Sequence, residues 1–101
     1  MTRVAAYVPD LLDRSKVAAA AADVTFVRDP SELGAVAADV VVVDLAAPGV
    51  LDILPSVEAR TIGFGRHTAR DLLAAAREAG CDEVYARSEF FARVGALLAP
   101  P

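Results

Sequence analysis

Four consecutive valines, Val40 to Val43, run into an aspartate, Asp44. Side chains alternate between the two faces of a strand, so this run leaves neither face for water. Both faces must be covered by other parts of the chain, which is the condition of a central strand in a parallel sheet. A sheet with one wet face would show alternating polar residues here. The valine run therefore commits the chain to helices on both sides of a sheet.

The flanking segments supply those elements. Arg3 to Val8, Val24 to Val27, Arg60 to Phe64 and Glu83 to Ala86 predict four more strands, rich in β-branched or aromatic residues. Pro9 to Ala22 predicts the first helix, with Pro9 suited to a first helical turn. Asp29-Pro30-Ser31-Glu32 is a capped helix start that opens a short helix over Ser31 to Ala37. A weak helix or turn covers Val50 to Leu54 and is closed by Pro55. Thr68-Ala69-Arg70-Asp71 reads as a capping box for a helix to Ala79, with Gly80 as its C-terminal cap. Ser88 is the expected cap of the last helix, Glu89 to Leu98, and Pro100-Pro101 reads as a stop. Strands and helices thus alternate five times. Such alternation gives a parallel sheet with right-handed crossovers. The expected fold is α/β, a three-layer sandwich around a five-stranded parallel sheet of flavodoxin-like order 2-1-3-4-5. A Rossmann half is the alternative, but Val8-Pro9-Asp10 stands where its glycine-rich fingerprint would be.

Composition sets the class. At 101 residues, 55% of them hydrophobic, the chain is expected to form a single domain over 1–101. Nothing approaches the roughly 18 uncharged apolar residues of a membrane span, and no secretory leader is evident after Met1-Thr2-Arg3. The expectation is a cytoplasmic protein with no membrane partner. A net charge of −4 argues against a nucleic-acid partner. Nine of the ten basic residues are Arg, and 22 residues are Ala. That bias matches a GC-rich genome, so abundant arginine is not in itself a phosphate signature. The lone cysteine, Cys81, excludes an internal disulfide and falls at the end of the sheet away from the expected site, as a small packing residue.

Ligands of such sheets bind beyond the C-terminal strand ends. That rule selects Asp10 after strand one, Asp44 after strand three, Gly63, Gly65, Arg66 and His67 around the end of strand four, and Arg87 and Ser88 after strand five. Asp44 is either a nucleophile or metal ligand, or a carboxylate capping loop amides. Gly63-x-Gly65 either brings backbone amides to an anion at a helix start or serves turn geometry. His67 is either a proton-transfer group or a solvated loop residue.

Two stretches carry a family resemblance. Val40-Val-Val-Val-Asp44-Leu-Ala-Ala-Pro48-Gly49, and Leu72-Leu-Ala-Ala-Ala-Arg-Glu-Ala-Gly80-Cys-Asp-Glu-Val84, together resemble a response-regulator receiver domain over nearly the whole chain. In that family the phosphorylated Asp ends strand three and a Pro follows four residues later. The resemblance makes Asp44 the candidate phospho-acceptor. The chain departs from the family elsewhere. Val8-Pro9 replaces the acidic pair that holds Mg²⁺, Gly65 replaces the Thr or Ser, and Arg87 replaces the Lys. The resemblance therefore implies a degenerate, non-enzymatic signalling module with no cofactor, or weak Mg²⁺ binding at Asp10 and Asp44 at most. An ion pair between Arg87 and Asp44, mimicking one signalling state, is a further expectation. The implied partner is a protein or a second copy, met on the face of the helix over 68–79, the fifth strand and the last helix, where Tyr85, Phe90, Phe91 and Arg93 stand. At least one of the two phenylalanines is expected to serve the core. The alternatives are a residual phospho-receiver and a small anion-binding protein or enzyme at the strand ends.

Overall fold

The structure is a computed structural model that describes residues 2–100. Met1 and Pro101, the latter half of the expected terminal stop, lie outside the described residues. Five strands, β1 (Val4–Tyr7), β2 (Val24–Phe26), β3 (Val40–Asp44), β4 (Arg60–Gly65) and β5 (Glu83–Ala86), form one parallel sheet. Their order is β2-β1-β3-β4-β5, as the alternating pattern predicts. Four α-helices accompany them: α1 (Leu11–Ala20), α2 (Val50–Ile53), α3 (Arg70–Glu78) and α4 (Arg87–Leu98).

The valine run does what its pattern requires. Val40 and Val42 enter a core with Val17 of α1 and Phe90, Leu97 and Leu98 of α4. Val41 and Val43 enter the opposite core with Leu33, Val50, Leu54 and Ala76. All four valines are buried, so β3 is covered on both faces. β3 also pairs with β1 on one side and β4 on the other, so its backbone is satisfied.

Several element starts differ from expectation, each for a local reason. α1 begins at Leu11, not Pro9, because the Asp10 carboxylate accepts the Asp13 amide at 3.0 Å and is itself the cap. The second helix is a five-residue 3₁₀ turn, Pro30–Gly34, although its Asp29–Glu32 capping box forms as read. Thr68 does not cap α3. A turn from Arg66 to Ala69 takes up the Ala69 N–H, and the helix starts at Arg70. Ser88 is not a cap either: β5 runs straight into α4, whose N-cap is Ala86, and Ser88 lies inside the first turn. Gly80 does close α3. Its φ is +98°, its N–H reaches the Arg77 carbonyl, and the Cys81 N–H reaches that of Ala76. That pair of bonds is a Schellman motif, and its left-handed residue favours glycine.

Candidate functional site

Three strands end side by side at the C-terminal edge of the sheet. Tyr7 ends β1, Asp44 ends β3 and Gly65 ends β4. Beyond them lies a cleft of about 420 Å³ lined by Asp10, Asp13, Asp44, Ala46, Gly65, Arg66 and Arg87. Five of the expected site residues are thus brought together: Asp10, Asp44, Gly65, Arg66 and Arg87. His67 and Ser88 are exposed and lie outside the lining, and Gly63 is buried within β4.

The dominant contact was not among the expected ones. Arg87 does not pair with Asp44. Its Nη2 donates to Asp13 Oδ1 at 2.7 Å. The Asp13 side chain is only 4% exposed, against 39% for Arg87. The guanidinium also rests over the rings of Phe64 and Phe91, at 5.5 and 5.3 Å from their centroids. Bonding to Asp13 strengthens the proton affinity of Arg87, with smaller contributions from Asp44 and Asp10. A signal for Asp13 does exist in the sequence. On a 3.6-residue period it shares the inward stripe of α1 with Val17 and Ala20, where a carboxylate needs a partner.

Asp44 is half-buried, and its Oδ1 accepts the Ala46 N–H at 3.0 Å. Burial pushes its carboxyl above the usual range, and the Ala46 amide and Arg87 only partly oppose this. A raised folded-state pKa means that ionised Asp44 favours the unfolded chain. Its protonated form contributes stability that is lost as pH rises through the folded pKa. Asp44→Asn is therefore expected to stabilise the fold by under about 1 kcal/mol at pH 7. The gain should vanish near pH 3, where Asp44 is protonated in both states; urea unfolding at the two pH values checks it.

The Gly-x-Gly pattern lies within β4, where it also serves packing. Both glycines lie inside β4, and α3 starts five residues after Gly65. A Cβ on Gly63 would come within 2.6 Å of Leu45 Cδ2, and one on Gly65 within 3.2 Å of Leu73 Cδ2. The glycines make room for leucines that cover the sheet.

Each of the three carboxylates facing the cleft has one oxygen already engaged. Asp10 Oδ1 is spent on the helix cap, Asp13 Oδ1 on Arg87 and Asp44 Oδ1 on the Ala46 amide. Among the described residues no group of three or more His, Cys, Asp or Glu is placed to hold a metal. Mg²⁺ demands near-octahedral oxygen geometry, and a guanidinium in the same cleft competes for the same charge.

At the other end of β5, Cys81 is buried and donates weakly to the Glu83 carbonyl at 3.3 Å; burial raises its thiol pKa. Among the described residues no helix is long and apolar enough to cross a membrane.

The doubly wound sheet with its cleft at the strand ends is the flavodoxin-like class. No family model matches the sequence, and no curated protein does. Among solved structures, the BeF₃-activated DrrB receiver domain matches with a TM-score of 0.77 and 20% sequence identity, over 97% of each chain. The chain has the fold of a receiver domain.

Proposed function

We propose that this chain is a receiver-like protein-interaction module that works without phosphorylation of Asp44. The observation that carries this reading is the Asp13–Arg87 ion pair. Phosphoryl transfer to a carboxylate gathers negative charge that cations must neutralise. Here the cation beside Asp44 is already neutralised by a buried carboxylate on α1. Gly65 adds no hydroxyl to sense a phosphoryl group, and Val8-Pro9 supplies no acidic pair for Mg²⁺.

The reading makes the chain a binding module, with no catalysis of its own and no cofactor. Its proposed protein-binding face is α3, β5 and α4. Phe90 is fully buried there and serves the core, whereas Phe91, like Tyr85, is only partly buried against it. Beside them the Tyr85 hydroxyl donates to Glu83 at 2.9 Å, and Arg93 lies over the tyrosine ring at 5.4 Å. An aromatic residue backed by arginine is a frequent interface anchor.

An amide NMR titration tests the reading, first with Mg²⁺ and then with beryllofluoride. The expected result is no saturable shift at Asp44, Gly65 or Arg87. Saturable shifts centred on those three would overturn it and make the chain a working phospho-receiver.

A further inference from the structure

The end of the sheet opposite Asp44 carries a second cavity. It measures about 690 Å³, against 420 Å³ for the cleft at the strand tips. That volume lies within the roughly 300–1,000 Å³ usual for small-molecule sites. The cavity is a groove between the C-terminal half of α4 and the first residues of β3 and β4. Ala96 and Ala99 line it from α4 and leave unfilled the room that larger side chains would take. Val40 and Leu97, both buried, supply an apolar floor.

The rest of the lining carries both signs of charge. Arg60 stands level with Val40 in the β3–β4 register, and Asp39 directly precedes Val40. A base and an acid thus sit on adjacent strands, whose spacing is about 4.8 Å. Arg93 adds a second guanidinium from α4.

The chain does not use up these charges itself. Arg60 spends its Nε on Glu83, which leaves its two terminal amino groups. The other oxygen of Glu83 accepts from Tyr85. Among the described residues Arg93 forms no ion pair, and its guanidinium rests over the Tyr85 ring. Asp39 Oδ2 accepts the Arg3 N–H at 2.8 Å, which leaves Oδ1. The exit of α4 adds acceptors. The last carbonyls of a helix lack partners within it, and Pro100 and Pro101 have no N–H with which to cap them.

We infer that this groove binds an apolar α-amino acid as its zwitterion. The carboxylate goes to Arg93 and the terminal amino groups of Arg60. The ammonium goes to Asp39 Oδ1 and the last carbonyls of α4. The apolar side chain covers Val40 and Leu97. A simple anion would meet Asp39, a simple cation would meet two guanidiniums, and a neutral apolar molecule would leave both signs unused. A ligand with both charges on one carbon beside an apolar group matches all three features. The groove is short and shallow in contacts, so the site is weak: a ligand of about a dozen heavy atoms gives a Kd on the order of a few mM. The inference concerns the far end of the sheet from Asp44 and does not rest on the proposed function.

An amide NMR titration of the whole chain with L-phenylalanine, up to about 20 mM, tests it. The expected result is a set of saturable shifts centred on residues 39, 40, 60, 93, 96 and 97. 3-Phenylpropionate lacks the ammonium and phenethylamine lacks the carboxylate; each should bind at least fivefold more weakly. Arg93→Gln should weaken L-phenylalanine at least fivefold. Ala96→Leu, which fills the groove without touching a charge, should abolish the shifts. Both positions are exposed, so circular dichroism should show both variants folded. No saturable shift with L-phenylalanine would overturn the inference. So would shifts centred elsewhere, equal binding of either one-charged analogue, or shifts that survive Ala96→Leu.

Discussion

Arg87→Ala is expected to lose about 3 kcal/mol of stability at pH 7, the lower end of the cost of breaking a buried ion pair. Asp13→Asn is expected to lose only about 1 kcal/mol. The two partners are unequal because their surroundings are. Asp13 is 4% exposed, so removing its partner strands a carboxylate without water. Arg87 is 39% exposed, so on losing Asp13 it keeps water and its two aromatic neighbours. Asparagine also preserves the volume of Asp13 and still offers an oxygen to the guanidinium. Guanidinium melts are unsuitable because the salt screens the pair; urea unfolding of both variants at pH 7 gives the comparison. Equal losses would mean that Asp13 does not rely on Arg87 for its burial.

The same pair marks the limit of what the sequence discloses. β3 is legible from four residues because a run of valines has one explanation. The Asp29–Glu32 capping box and the Gly80 closure are legible because each is a local bond pattern within a few residues. Asp13 and Arg87 lie 74 residues apart. Their pairing depends on how α1 and α4 lie on the same side of the sheet, which no local rule contains. Gly63 and Gly65 are only partly legible for a related reason. Glycine near a strand end signals a turn or a ligand loop, and their packing role comes from Leu45 and Leu73 pressing on the sheet from other segments. Thr68 and Ser88 have the chemistry of caps, but the turn at Arg66 and the direct β5–α4 junction place the helix starts elsewhere. The position of the cleft was readable from topology, and its wiring was not.

Phe64→Ala is expected to cost about 3–5 kcal/mol, a large part of the roughly 5–15 kcal/mol that holds a domain folded. Phe64 lies on β4 beside Asp44 in register and is fully buried. Its ring stacks on Phe90 at 4.8 Å and meets Phe91 edge-on at 5.1 Å. Alanine there removes one member of a three-ring cluster that the surrounding helices cannot close around without shifting α4. Phe64→Leu, which keeps most of the volume, should cost well under half as much. The ring also lies beneath Arg87, and this contact joins the core to the cleft. Residues in contact lose additivity, so the double variant Phe64→Ala/Arg87→Ala should lose less than the two single losses together. Urea midpoints of the four chains complete that cycle. A shortfall of about 0.5 kcal/mol or more would show that the aromatic cluster helps hold the guanidinium against Asp13. Strict additivity would detach the cluster from the ion pair and leave Arg87 placed by Asp13 and the α4 backbone alone.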